Sequence, residues 1–223
     1  HTAYRRQRQM CIRDSQIPDW VTRNGDGTLV SANTLYRNIF DHISSVAGRY
    51  SGKIKGWDVV NEAILDDGSY RENDFYKISA DEYIFKSFEI ANKIDPNAEL
   101  YYNDFSMYKP EKCDAAIRIA NKILERGLRI DGIGLQAHWG LDYPSIDEIE
   151  TSILKIHEAG FRVHFTELDI DVLPNLWEIE GADLSDNFKS DDQLNPYKLS
   201  LPDSISNLLS DRYTEIFKLF DKH

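Results

Sequence analysis

Four short runs of β-branched and aromatic residues alternate with stretches of helical periodicity along this chain. The runs are KGWDVVNE, AELYYNDF, IDGIGLQAHW and RVHFTELDI, at 55–62, 98–105, 130–139 and 162–170. Such runs are typical of buried strands, whereas apolar residues three and four positions apart indicate helices. Parallel strands need a long crossover, usually a helix, while antiparallel strands can be joined by a tight turn. The alternation therefore predicts an α/β fold with a parallel sheet.

The segments between these runs carry signals for the start and end of helices. Ser31 is a candidate cap for the first helix and Gly48 is its candidate end. Ser-x-x-Glu patterns at 79–82 and 145–148 predict capping boxes, and Pro110 suits the first turn of a helix. The predicted helices cover 31–48, 79–95, 110–127, 145–160 and 202–223. The polar, acidic stretch at 174–200 is too long for an ordinary connection, which predicts a loop that lines an active site.

The composition restricts both the number of domains and the partners. The chain has 223 residues, of which 41% are hydrophobic, enough for one sizeable core. Its formal net charge of −12 disfavours nucleic acid and anionic membranes, and we expect neither as a partner. The two cysteines make neither a disulfide framework nor a cluster of metal ligands, and no apolar run is long enough to span a membrane.

Two of the strand-like runs place a glutamate near their carboxyl end. Glu62 closes WDVVNE, and Glu167 lies in VHFTELDI. Ligands of parallel α/β folds gather at the carboxyl ends of the strands, so both carboxylates are expected at one mouth. Glycoside hydrolysis requires such a pair, one acid and one nucleophile or base. No glycine-rich phosphate fingerprint follows any strand, which favours a barrel over a nucleotide-binding, doubly wound sheet.

Four motifs resemble glycoside hydrolase family 10 in sequence and in order: WDVVNE, YYNDF, GIGLQAHW and HFTELDI. The resemblance covers roughly 15–223, including SQIPDW at 15–20, and implies an α/β fold of the (β/α)8 TIM barrel type. It also implies a retaining endo-β-1,4-xylanase that hydrolyses internal linkages of xylan by double displacement. The implied substrate is xylan or a xylo-oligosaccharide. No cofactor and no metal are expected, and the expected state is a monomer.

The resemblance implies catalytic roles at three positions. Glu62 is similar to the family's general acid/base, and Glu167 is similar to its nucleophile. Asn61 matches the residue that hydrogen-bonds the sugar 2-hydroxyl. A strand-end glutamate taken alone is more often a solvated rim residue, so these roles depend on the surrounding motifs. Hydrogen bonds from Asn61 and His138 would favour an ionised Glu167, which agrees with the nucleophile role.

Further positions are implied to support the reaction or to bind substrate. Gln136 and His138 match a pair beside the nucleophile, and Asp169 is similar to the carboxylate that orients the histidine. Tyr102 and Asn103 belong to the family's Tyr-Asn-Asp motif. A histidine with none of this context would more often be a hydrogen-bonded core residue.

Other residues have simpler interpretations. Trp57 is predicted to fill the barrel, while Trp139 is either filling or a sugar platform. His164 faces away from Glu167 in strand alternation and is predicted to be structural. Asp66 is predicted to be a solvated loop charge.

The chain departs from the family pattern in several places. Phe105 stands where a tyrosine is frequent. Residues 1–14 do not fit and are interpreted as a foreign, adapter-like segment, artefactual or disordered, which leaves 15–223 as a partial catalytic domain. The barrel is expected to lack its first strands and its last strand. The basic N-terminus has no signal peptide. Since polymeric xylan does not enter cells, the full-length parent is expected to be secreted or periplasmic.

Two alternatives stay open from the sequence. An incomplete barrel exposes strand edges and part of its core, so the chain could be an inactive fragment with at most weak xylan binding. It could also be a related barrel hydrolase of another β-1,4-glycan, an interpretation against which the LQAHW and YND motifs argue.

Overall fold

The computed structural model describes residues 8–9, 17–173, 196–197 and 199–223. Its strands form two parallel sheets, one of five strands in the order β1-β2-β3-β4-β6 and one that pairs β5 with β7. The strands are β1 (Arg8–Gln9), β2 (Gly56–Asn61), β3 (Glu99–Asp104), β4 (Gly132–Leu135), β5 (His138–Gly140), β6 (Arg162–Phe165) and β7 (Asp169–Asp171). Most of the predicted loop at 174–200 and most of the segment at 1–14 lie outside the described residues.

Helices follow the strands, as the alternation predicts. They are α1 (Ala32–Tyr50), α2 (Asp74–Ser79), α3 (Glu82–Ile94), α4 (Pro110–Glu125), α5 (Ile146–Glu158) and α6 (Asp203–Lys222). Spatial order equals chain order from β2 through β3 and β4 to β6, and every pairing is parallel. The predicted parallel α/β sheet is confirmed. None of the helices in the described ranges combines the length and the hydrophobicity that a bilayer crossing requires.

Two of the predicted strands are wrong as single elements. The run at 130–139 is divided into β4 and β5, because Ala137 has a left-handed backbone with φ of +63°. The run at 162–170 is divided into β6 and β7. Across both breaks the backbone stays hydrogen-bonded, since the Glu167 N–H donates to the Gln136 carbonyl at 3.1 Å and the Asp169 N–H donates to the Ala137 carbonyl at 3.2 Å. The two neighbouring segments therefore change direction together, at the break between β4 and β5 and at the break between β6 and β7.

The helix signals are confirmed at some positions and wrong at others. Ser31 caps α1, and Ser145 with Glu148 forms a reciprocal capping box at α5. The capping box predicted at 79–82 is wrong, because Ser79 ends the short helix α2 and Ala80, with φ of +51°, separates it from α3. Gly48 does not end α1, which continues to Tyr50.

The buried apolar side chains form two clusters. The larger lies between the central strands and α1, α3 and α4, and it contains Trp57, which is fully buried and donates from its indole N–H to Asp95 at 3.1 Å. The smaller joins β5 and β7 to α5 and α6, and it contains Trp139, whose ring meets Phe165 edge-on at 5.8 Å between centroids. The filling role predicted for Trp57 is confirmed, and the buried Trp139 has the same role.

Candidate active site

Both glutamates lie just beyond strand ends on one edge of the sheet. Glu62 directly follows β2, and Glu167 follows β6 after one intervening residue. The Glu62 N–H donates to the Asn103 carbonyl at 3.0 Å, so the neighbouring strand β3 holds its backbone. Glu62 is 7% exposed, whereas the side chain of Glu167 is 26% exposed. The predicted position of the two carboxylates at one mouth is confirmed.

A chain of buried amide side chains joins the two carboxylates. Gln136 donates from Nε2 to Glu62 Oε1 and to Asn61 Oδ1, both at 3.0 Å. Asn103 donates from Nδ2 to Asn61 Oδ1 at 2.9 Å and to Glu167 Oε1 at 3.1 Å. Asn61 itself donates to Glu62 Oε1 at 3.2 Å. Asn61 is thus joined to Glu167 through Asn103, whereas the sequence analysis predicts a direct hydrogen bond between Asn61 and Glu167.

Two residues that sequence reasoning missed determine the surroundings of Asn103, one by a hydrogen bond and one by leaving space. Thr166 donates from Oγ1 to Asn103 Oδ1 at 2.8 Å. Gly134 lies opposite Asn103 in the sheet, and a Cβ added there would sit 2.5 Å from the same oxygen. A glycine inside a strand often marks such a close approach, so Gly134 carried a signal that could have been read. The sequence contains no comparable signal for Thr166, except that it directly precedes Glu167.

His138 is held between two carboxylates by strand register. Its Nε2 lies 3.2 Å from Glu167 Oε2, and its Nδ1 lies 3.0 Å from Asp169 Oδ1. The second contact follows from the pairing of β5 with β7, which places His138 directly opposite Asp169. The hydrogen bond with Glu167 and the contact with Asp169 raise the pKa of His138, while partial burial lowers it. The result is a pKa of about 9. At neutral pH the ring is therefore a cation that donates to both carboxylates.

Substituting Asp169 by asparagine should lower the pKa of His138, because one of the two stabilising carboxylates is lost. The ring protons of His138, followed by NMR, should titrate near pH 9 in the unsubstituted chain and about one pH unit lower in Asp169→Asn. Asp171→Asn, on the same strand, is the matched control and should leave the titration unchanged. A midpoint near 6.5 in the unsubstituted chain would contradict the arrangement.

The same contacts imply a sign for the pH dependence of stability. The pKa of His138 in the folded chain, about 9, lies above its ordinary value of 6.5. Its contribution to the free energy of unfolding is therefore complete below about pH 6.5 and is lost as the pH rises through about 9.

The Tyr-Asn-Asp motif divides between the two faces of β3. Asn103 contacts the site, whereas the fully buried Tyr102 donates to Asp104 Oδ2 at 2.5 Å and accepts from the Ala63 N–H at 3.1 Å. Burial raises the pKa of Asp104 to about 6, although Lys112 at 3.0 Å opposes this effect. Tyr102 thus supports the backbone next to Glu62 from within the core.

Two further expectations concern charged and aromatic neighbours. The side chain of Asp66 is 42% exposed, which agrees with the predicted solvated loop charge, and it also forms ion pairs with Lys109 at 2.5 Å and with Lys112 at 3.1 Å. His164 packs edge-on against Tyr101, at 5.3 Å between ring centroids, and burial lowers its pKa. These contacts agree with a structural role for His164. The described ranges contain no group of three or more His, Cys, Asp or Glu residues suited to a metal ion.

Comparison with known proteins identifies the family. The family model described as glycosyl hydrolase family 10 matches residues 9–220. The chain belongs to glycosyl hydrolase family 10. The match begins inside the segment 1–14 that the sequence analysis set outside the family, and of that segment the structure describes only Arg8–Gln9, which pairs in parallel with β2. The assignment of 1–14 stays a prediction.

The relatives of this family 10 chain carry xylanase names. It is 42% identical over 209 residues to endo-1,4-beta-xylanase A of Xylanibacter ruminicola, covering 94% of this chain and 57% of that protein. It is 34% identical to endo-1,4-beta-xylanase of Geobacillus stearothermophilus, covering 94% and 59%. The solved structure of a family 10 endoxylanase from a sugarcane soil metagenome is 38% identical, with a TM-score of 0.86 and coverage of 97% and 60%.

The comparisons also define the fold of this family 10 chain. Its solved neighbours are (β/α)8 barrels, and the chain spans 57% and 59% of the two curated relatives. The parallel sheet with its alternating helices is therefore part of such a barrel, as the sequence predicts. The described part carries both glutamates and the amide chain between them.

Proposed function

We propose that this chain carries the catalytic centre of a retaining endo-β-1,4-xylanase, in which Glu167 is the nucleophile and Glu62 the general acid/base. The observation that carries the proposal is the hydrogen-bonded chain through Gln136, Asn61 and Asn103, which ties the two carboxylates into one rigid unit. Rigid placement of both groups is what a two-carboxylate hydrolase requires. The xylanase names of relatives that are 42% and 34% identical support the substrate.

The contacts of Glu167 support its role as nucleophile. Asn103 donates to one carboxylate oxygen and the His138 cation donates to the other. Both interactions stabilise negative charge on Glu167. In the first step a carboxylate oxygen of Glu167 bonds to the anomeric carbon, the bond to the leaving oxygen breaks, and Glu62 gives that oxygen its proton. The product is a covalent glycosyl-enzyme with inverted configuration.

The second step reverses the roles. Glu62, now a carboxylate, takes a proton from water, the water oxygen bonds to the anomeric carbon, and the bond to Glu167 breaks. Two inversions give net retention. All proton transfers are carried by side chains of the chain itself, so the proposal includes no cofactor. As a polymer, xylan is met outside the cytoplasm, and we propose a secreted or periplasmic parent protein that acts as a monomer.

The test is the hydrolysis of xylan, followed by NMR of the first products. Immediate release of the β-anomer at the new reducing ends, with slower appearance of the α-anomer by mutarotation, is expected for retention. Cellulose at equal mass concentration is the control and should release far less reducing sugar. Initial release of the α-anomer would refute double displacement, and preferential hydrolysis of cellulose would refute the substrate.

A further inference from the structure

Glu62 has a backbone conformation that is uncommon for residues other than glycine. Its φ is +58°, in the left-handed region. Apart from glycine, and to a lesser degree asparagine, aspartate and histidine, residues rarely adopt this region, so the surrounding structure must hold Glu62 there. The direction in which the carboxyl group leaves the backbone depends on this conformation. Whatever holds the peptide groups on either side of Glu62 therefore sets the position of its carboxyl group.

The peptide group between Glu62 and Ala63 is held at both of its ends. Arg71 donates from Nε to the Glu62 carbonyl oxygen at 3.0 Å. Tyr102 accepts the Ala63 N–H at its hydroxyl oxygen, at 3.1 Å. Ala63 and Tyr102 are buried, so water does not compete for the second contact. A rotation of this peptide group would break both hydrogen bonds together.

The hydroxyl group of Tyr102 is itself oriented by a buried ion pair. A phenol hydroxyl group carries one hydrogen, and because Tyr102 donates it to Asp104, its oxygen is left to accept from the Ala63 N–H. Asp104 is fixed by Lys112 Nζ at 3.0 Å, and neither side chain has any exposed surface. Lys112 also lies 3.4 Å from the centre of the Phe105 ring. Through the Tyr102 hydroxyl group, this buried ion pair is linked to the Ala63 N–H and so to the Glu62–Ala63 peptide group.

We propose that Arg71 and Tyr102 are positioning residues that clamp the Glu62–Ala63 peptide group and thereby aim the carboxyl group of Glu62 at the leaving oxygen. The inference rests on the proposed function, in which Glu62 is the general acid that protonates the leaving oxygen. Neither residue takes part in bond making. Their loss weakens proton delivery and leaves attack by Glu167 intact.

The experiment compares two substrates that occupy the same sugar subsites. Phenyl β-xylobioside needs a proton on its leaving oxygen, whereas 2,4-dinitrophenyl β-xylobioside does not. For Tyr102→Phe and for Arg71→Gln, kcat/KM for the phenyl substrate should fall about tenfold, while kcat/KM for the dinitrophenyl substrate should stay within about twofold. If thermal melting shows that Tyr102→Phe is unfolded, the comparison of the two substrates with Arg71→Gln alone tests the proposal.

Matched controls make the same chemical changes elsewhere. Tyr101→Phe removes a hydroxyl that donates to Glu99, and Arg118→Gln removes a donor to the Gly68 carbonyl; neither contacts Glu62. Both should leave the ratio of the two kcat/KM values unchanged. Equal losses on both substrates in the folded test variants, or no loss on either, would overturn the clamp while the proposed function stands. An unsubstituted chain that cleaves neither glycoside overturns the proposed function, and the clamp with it.

Discussion

The Glu167→Ala variant is expected to lose hydrolysis of xylan by more than about 10⁴-fold, because no covalent intermediate can form without the carboxylate. The loss should appear equally with the dinitrophenyl substrate, since the nucleophile is needed whatever the leaving group. Reducing-sugar release from xylan and dinitrophenolate release, both measured as kcat/KM, check the two parts of the expectation. The variant leaves the Asn103 amide and the His138 ring without their shared acceptor.

Folding must be separated from chemistry in that experiment. Thermal melting of Glu167→Ala, beside the unsubstituted chain, shows whether the loss is one of structure. Glu125→Ala, at an exposed glutamate that ends α4, is the control for removal of a carboxylate and should keep full activity. Substantial xylan hydrolysis by a folded Glu167→Ala chain would remove Glu167 from the nucleophile role.

Glu62→Ala is expected to show a different pattern. Loss of the general acid should reduce kcat/KM for xylan by about 10²–10⁴-fold, whereas kcat/KM for the dinitrophenyl xylobioside should change little. The glycosyl-enzyme should then accumulate, because water attacks it slowly without a general base. Azide is a nucleophile that needs no base, so adding it should raise kcat and yield the β-glycosyl azide.

The azide experiment distinguishes the two glutamates. Azide should not restore turnover of the dinitrophenyl substrate with a β-configured product in Glu167→Ala, because that product requires two inversions at the anomeric carbon. A β-glycosyl azide from Glu62→Ala, together with none from Glu167→Ala, supports the assignment. The reverse pattern would exchange the two roles.

Local patterns predicted the elements whose signals lie within a few residues. Each of the four strand-like runs contains a parallel strand, although the runs at 130–139 and 162–170 are each divided into two strands. The capping box at Ser145 is present because both partners lie on one turn. The same pattern failed at Ser79, where the left-handed Ala80 ends one helix before the next begins. A capping pattern states which bonds are available, and packing decides whether the backbone uses them.

Contacts between elements distant in the chain could not be read in this way. Asp66 is partly exposed, as predicted, but its ion pairs with Lys109 and Lys112 join residues more than forty positions apart, and no local pattern indicates them. The route from Asn61 to Glu167 through Asn103 depends on the register of neighbouring strands, and so does the His138–Asp169 pair. Register follows from the packing of the whole sheet, which no single segment specifies.

The sequence by itself determined the parallel α/β alternation, the two glutamates at strand ends and, through its ordered motifs, the resemblance to family 10. These are properties of short segments, where side-chain type and spacing suffice. Only the tertiary structure decided how Glu62 is aimed. Its left-handed backbone is held by Arg71 and by a tyrosine whose hydroxyl is turned by a buried aspartate and lysine. Those partners come from a loop, a strand and a helix, and they meet because folding buries them together.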